Sequence, residues 1–160
     1  MLKCLVTAAL LVSLSLASGE AQGMTARWGK IGPFAVGMLK QAVVYRYGTG
    51  RPDQVGGTLY AVDGATIDVS FAKGRITSVG CAHNRCPLGF SLPDGTKLGM
   101  GIPYGKTWHG YALCPSSYLG YSRWVKYVHD LAGRSLMVTV EVYHAKVTAL
   151  LEWQHVGCGA

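Results

Sequence analysis

Apolar and polar residues alternate in two separated stretches of this chain. Ile67, Val69 and Phe71 alternate with Asp68 and Ser70, while Leu136, Val138, Val140 and Val142 mark one apolar face of a second stretch. A period of two is the signature of a strand with one buried face. Around the first stretch the pattern predicts a strand over Thr58–Val62, a tight hairpin at Asp63-Gly64, a turn at Lys73-Gly74 and a third strand over Arg75–Val79. Around the second it predicts a strand over Arg123–Val128, a loop from Asp130 to Arg134 and a last strand from Lys146 to Trp153. One segment has helical spacing instead: Leu39, Ala42, Val43 and Tyr47 share a face, and Gly48 is placed to end the helix as a left-handed residue.

The two stretches resemble each other in sequence. Phe71-Ala-Lys-Gly-Arg-Ile-Thr-Ser-Val79 reads against Val142-Tyr-His-Ala-Lys-Val-Thr-Ala-Leu150 at one constant offset, Phe71 falling on Val142 and Val79 on Leu150. Upstream, Pro33-Phe-Ala-Val-Gly-Met38 reads against Gly95-Thr-Lys-Leu-Gly-Met100 at a second, shorter offset, which also places Gly48 on Gly110. The blocks keep their order, which points to one unit used twice with nine extra residues inside the second. In the second unit the helix slot falls on Gly101–Gly110, where interior glycines and Pro103 disfavour a regular helix. Each unit alone would expose an apolar sheet face, so the two are expected to share one core. The expected fold class is α+β: a tandem repeat of a helix or turn followed by a three-stranded antiparallel sheet.

The first residues read as an export signal. Lys3 supplies the charged start, Leu5–Leu16 is almost wholly apolar, and Ala17-Ser18-Gly19 and Ala21-Gln22-Gly23 offer small-residue cleavage sites. The expected organisation is a signal peptide over 1–23, unit 1 over 24–90 and unit 2 over 91–160, the two units forming one globular domain. Apolar runs after the signal are too short for a bilayer, so no membrane span is expected after cleavage. Without Lys3 the chain carries 14 basic and 8 acidic residues, a net charge of +6, with no basic run. Scattered charge of this kind suits solubility or attraction to anionic cell-wall polymers rather than a specific nucleic-acid reader.

Ile31-Gly-Pro-Phe-Ala-Val-Gly-Met38, a helix ending at Tyr47-Gly48, and Ile67-Asp-Val-Ser-Phe-Ala-Lys-Gly-Arg-Ile-Thr-Ser-Val79 together form a pattern. It resembles exported bacterial proteins built of β-lactamase-inhibitor-like repeats, which are related in architecture to small outer-membrane assembly lipoproteins. The likeness extends to secreted actinobacterial proteins carrying two such units. The resemblance implies a binding or envelope role without chemistry, and it carries no catalytic residue across. This chain departs from the pattern in having Leu39 and Gly101 where a capping Ser or Thr usually follows the Gly-Met pair, and in lacking a lipobox.

Four cysteines follow the signal: Cys81, Cys86, Cys114 and Cys158. In an exported chain an even number implies two disulfides with three possible pairings. Cys81–Cys86 with Cys114–Cys158 is preferred, because the first closes a short loop and the second pins the tail. The competing reading is a zinc site drawn from Cys81, Cys86, His83, His155 and Cys158, which oxidising export disfavours; no metal or cofactor is expected. Gly105-Lys106-Thr107 is not a phosphate-binding loop, since Met100 stands where the motif requires glycine. Asp68, Glu141 and Glu152, with His109, His129 and His144, are the candidates for a hydrolase, but no G-x-S-x-G elbow is present.

Aromatic residues are the stronger signal. Trp108, Tyr111, Tyr118, Tyr121 and Trp124 crowd between Tyr104 and Tyr127, a composition favoured at binding surfaces as well as in cores. The expected function is therefore a secreted or periplasmic, non-catalytic protein-binding module acting on an envelope or extracellular protein. Its expected binding residues are Tyr104, Trp108, Tyr111, Tyr118, Tyr121 and Trp124. A secreted hydrolase of glycosidase or nuclease type, or a cell-wall polymer binder, are the alternatives.

Overall fold

The computed structural model describes residues 27–54, 56–82, 85–102, 107–114 and 120–153, apart from the side chains of residues 107 and 151–153. The expected signal over 1–23, and Tyr104, Tyr118, His83, His155 and Cys158, lie outside the described residues. The chain opens on a small hairpin, β1 (Lys30–Ile31) with β2 (Phe34–Ala35), followed by the helix α1 (Lys40–Tyr47). Then come β3 (Arg51–Pro52), β4 (Thr58–Val62), β5 (Ala65–Ala72) and β6 (Arg75–Ala82). After a loop follow β7 (Thr107–Trp108), β8 (Tyr111–Cys114), β9 (Tyr121–His129), β10 (Ser135–Tyr143) and β11 (Lys146–Trp153). Strands β3 to β11 form one antiparallel sheet in the order β3-β4-β5-β6-β11-β10-β9-β8-β7.

The strand pattern read from the alternation is present, and the α+β expectation is corrected towards β. The described residues hold a single helix of eight residues. The described residues of the second helix slot, 101–102 and 107–110, hold a bridge from Gly101 to Lys146 and the start of the β7–β8 hairpin, whose turn takes Gly110 at φ 78°. In α1 only Val43 is buried; Leu39 and Ala42, expected on the same inward face, are exposed. The helix lacks a side-chain cap at Leu39, and its Lys40 amide donates to the Gly74 carbonyl at 2.9 Å, so a tertiary contact satisfies that orphan donor. Gly48 ends it at φ 77°, with its amide donating to the Val44 carbonyl.

The hairpins β5–β6 and β10–β11 share their irregularities. The register shifts between Ser70 and Phe71 in one and between Glu141 and Val142 in the other. Beside each shift a threonine hydroxyl donates across the ladder, Thr77 to the Ser70 carbonyl at 3.4 Å and Thr148 to the Glu141 carbonyl at 3.3 Å. Ile76 donates to Met38 and Val147 to Met100, both at 2.9 Å; Gly37 donates to Ile76 and Gly99 to Val147, both at 2.8 Å. Every partner in these pairs falls on its counterpart by the two offsets read from the sequence, the shorter one for the Gly-Met segments and the longer one for the hairpins. The hairpins meet along β6 and β11, where Gly80 lies opposite Leu151 and Cys81 opposite Leu150.

One face of the sheet carries the core. Ile67, Val69, Val79, Val138, Val140 and Leu150 are wholly buried, and they join Ile31, Phe34 and Val43 from the β1–β2 hairpin and α1 in one cluster. Each such side chain contributes about 1.5–3 kcal/mol relative to exposure. The opposite face carries Thr66, Asp68 and Ser70 on β5 and Ser78, Gly80 and Ala82 on β6, and towards β8–β10 it buries a second small cluster of Cys114, Val125 and Met137.

Four hairpin turns put both central residues at positive φ, as type I′ turns require: Asp63-Gly64, Lys73-Gly74, His109-Gly110 and His144-Ala145. Only the last lacks glycine, with Ala145 at φ 60°. An L-residue there costs roughly 1–2 kcal/mol, part of which glycine's greater freedom in the unfolded chain offsets. Ala145→Gly is therefore expected to stabilise the protein by about 0.5–1 kcal/mol in urea unfolding, and Gly74→Ala to destabilise it.

Candidate functional site

The aromatic residues proposed as a binding surface are mostly core. Trp108 is 5 %, Tyr111 0 % and Trp124 5 % exposed, so these three are not the surface anchors the sequence suggested. Trp108 stacks on Tyr111 at 5.3 Å and meets Trp124 edge-on at 6.3 Å. The physical reason is that β8 and β9 turn these positions to the inner sheet face, where the short β7–β8 hairpin closes the core in place of a helix. Lys126 is threaded into the same region. Its ammonium lies 5.3 Å from the Tyr111 ring and 5.5 Å from the Trp28 ring, bonds Asp94 at 3.1 Å and donates to the His109 carbonyl at 2.8 Å. Burial raises the Asp94 pKa, but hydrogen bonds from Thr96 and the Lys126 charge more than offset this and hold it below the ordinary value. Of the expected contact residues whose placement is described, Tyr121 alone is half-buried on the outer face, beside Glu141 and Arg123.

The outer face holds a cleft instead. Its floor is Gly80 and Ala82 of β6 and Ala149 of β11, residues with little or no side chain. Leu59, Thr66 and Asp68 wall it on the β4–β5 side and Glu141 on the β10 side; Asp53 and Arg85 reach it from loops. The cavity holds about 170 Å³. That is below the roughly 300–1,000 Å³ of drug-sized ligand sites, so it admits a side chain or a small ion rather than a cofactor.

Asp68 is the unusual group here. Its Oδ1 is fully buried and has no hydrogen-bond partner. Burial, and then the charge of Asp53, push its pKa above the ordinary carboxylate value. Gly57 makes the position possible, because a Cβ there would overlap Asp68 Oδ1. A buried carboxylate oxygen left unpaired is costly and calls for a reason, and a perturbed acid in a cleft is a recognised mark of function. Across the floor, Glu141 Oε1 lies 3.6 Å from Arg123 Nη2 as an ion pair. Burial first, and then Glu141, raise the Tyr121 pKa, with Arg123 opposing.

The hydrolase candidates are only partly brought together. Asp68 and Glu141 share the cleft, while the side chain of Glu152 lies outside the described residues. His109, His129 and His144 sit at hairpin ends away from it: His109 on the Asp94 carbonyl, His129 on Ser135, and His144 against the Tyr143 ring. The Cys81–Cys86 disulfide is present, closing the loop that carries Arg85 beside the cleft. Cys114 is also disulfide-bonded, with a partner outside the described residues. No group of three or more His, Cys, Asp or Glu suited to a metal occurs among the described residues. Asp68 and Glu141 were visible in the sequence as outward strand residues; Asp53, Arg85 and Gly80 carried no such signal.

Two outcomes are expected. Trp108→Ala, as a core truncation, should cost about 3–5 kcal/mol of stability in urea unfolding. Asp68→Asn should do the reverse at neutral pH. Because the folded-state pKa of Asp68 is raised, the folded form binds its proton more tightly, and ionisation removes stability as pH rises through that raised value. The substitution should therefore raise Tm at pH 7, and the gain should vanish as pH falls below about 4. In comparisons with known proteins, the chain matches no family model, no curated protein and no solved structure.

Proposed function

We propose that this protein is an exported, non-catalytic protein-binding module, made of two copies of one hairpin unit over 24–90 and 91–160, that docks a partner on the outer face of its sheet. The observation that carries this reading is Asp68, an acid that lines an open cleft while one of its oxygens is buried without a partner. A group held at that energetic cost is the kind retained for function against stability. The shared irregularities of the two hairpins support the duplication. The Cys81–Cys86 disulfide supports an oxidising destination, secreted or periplasmic. The envelope or extracellular partner follows from that destination and from the resemblance to inhibitor-like repeats.

The hydrolase reading has one observation in its favour, the meeting of Asp68 and Glu141 in one cleft. Three strand spacings separate β5 from β10, about 14 Å at the backbone. A glycosidase pair about 5–10 Å apart would need both side chains to lean inward, and among the described residues no histidine joins them. The cleft is also too small to hold a sugar chain.

The test is capture of envelope and culture-medium proteins on the immobilised, oxidised protein, with Asp68→Asn and Glu141→Gln as comparison baits. A partner retained by the wild type and weakened about tenfold or more by Asp68→Asn, through loss of a charge-assisted contact worth about 1.5–3 kcal/mol, is the expected result. A partner bound equally by all three baits, or none bound by the wild type, would reject the reading.

A further inference from the structure

The near-equivalence of the two hairpins shows what the cleft lacks. Residues related by the hairpin offset occupy matching places on β5 and β10, and on β6 and β11. Across the β6–β11 ladder, the pair that maps onto itself is Gly80 and Leu151. In the same row, Asp68 lies opposite Gly80, and Thr139 lies opposite Leu151. The row therefore reads Asp68–Gly80–Leu151–Thr139, with two unlike residues at each symmetric position. On the Leu151 side Thr139 is 3 % exposed and the face is closed over the cluster of Val125 and Met137. On the Gly80 side the face is open, and the cavity stands where a leucine would stand if the halves were alike.

We infer that Gly80 is the specificity-determining residue of the cleft, and that the cleft takes one basic side chain of a partner protein, an aliphatic stem ending in a guanidinium or ammonium. The inference rests on the binding reading above and names its chemistry. The size allows one side chain. The floor of Gly80, Ala82 and Ala149 offers flat apolar contact to the stem. The walls offer acceptors, the carboxylates of Asp53, Asp68 and Glu141. A cation in the cleft would sit against the Asp68 carboxylate and offset the cost of its burial. Arg85 lines the cleft too, yet among the described residues no ion pair joins it to these carboxylates. Three acidic groups stand against Arg85 and the Arg123 that pairs with Glu141, which leaves the cleft with one net negative charge on a chain whose formal net charge is +7, so it favours cations against the protein's own overall sign.

The experiment uses the oxidised protein labelled with ¹⁵N and three short peptides, Gly-Gly-X-Gly-Gly with X as arginine, lysine or citrulline. Saturable amide shifts at Gly80, Ala82 and Ala149 are expected for arginine and lysine, at least tenfold weaker for citrulline, and lost in Gly80→Leu. The relative strength of the first two peptides tells which cation the cleft prefers. Should Gly80→Leu lose its dispersed spectrum, Ala149→Leu closes the same floor from β11 and is expected to abolish the shifts likewise. This pattern supports the inference even where no partner protein is captured. Absence of shifts with the wild type, equal binding of citrulline, or unchanged binding in a folded floor variant overturns it. It does so even where a partner protein is captured, because that partner would then dock elsewhere.

Discussion

The pairing of β6 with β11 holds the molecule together. Each hairpin is closed by its own turn, but neither has a partner for its inner edge until the two meet from Ser78 to Ala82 and from Ala149 to Trp153. That ladder turns two small sheets into one and lets a single core run from Ile31 to Leu150. A three-stranded sheet has little apolar area to bury by itself, while the joined sheet places wholly buried valines, isoleucines and leucines on both sides of the seam. The seam also sets the geometry of the opposite face. It fixes which residues stand beside one another there, and so decides that Asp68 and Glu141 border one floor.

A shared frame does not require shared side chains, and the differences are informative. Both hairpins keep the backbone features that define their shape: the register shift, the threonine that bonds across it and the link to a Gly-Met segment. At those places a change would leave a backbone donor or acceptor unsatisfied. The outward positions are under no such constraint, and there the halves part: Asp68 against Thr139 and Gly80 against Leu151. One half closes its outer face and the other leaves a cavity with a desolvated acid. A carboxylate kept in that state destabilises the fold wherever it is ionised.

The halves differ also in how they cover the core. The first uses α1, anchored by the Lys40 amide to the β5–β6 turn. The second makes the corresponding bond, from the Ile102 amide to the Ala145 carbonyl, and the next described element along the chain is the β7–β8 hairpin. Trp108, Tyr111 and Trp124 fill the volume so enclosed, with the Lys126 ammonium held among them by aromatic faces and Asp94. Aromatic rings pack an irregular space that a short helix would have filled differently, which explains why they crowd into this part of the chain.

The sequence alone determined the six longer strands, β4 to β6 and β9 to β11, and the turns at Asp63-Gly64 and Lys73-Gly74. A period of two sets which face of a strand is apolar, and Asp-Gly or Lys-Gly pairs set where the chain reverses, so both follow from local chemistry. It also revealed the two constant offsets between the halves, because backbone features that must be kept leave glycines and threonines in register. Tertiary structure decided the rest. Whether Trp108 and Tyr111 face solvent depends on which strand lies across from them, a pairing that composition does not encode. The exposure of Leu39 and Ala42 depends on how little of α1 the sheet touches. The cleft was the least legible of all: Asp53, Asp68, Gly80, Arg85 and Glu141 come from two loops and three strands, and they meet only because β6 pairs with β11. Gly80 in particular signals nothing in sequence, since its role lies in the side chain that its partner position has and it lacks.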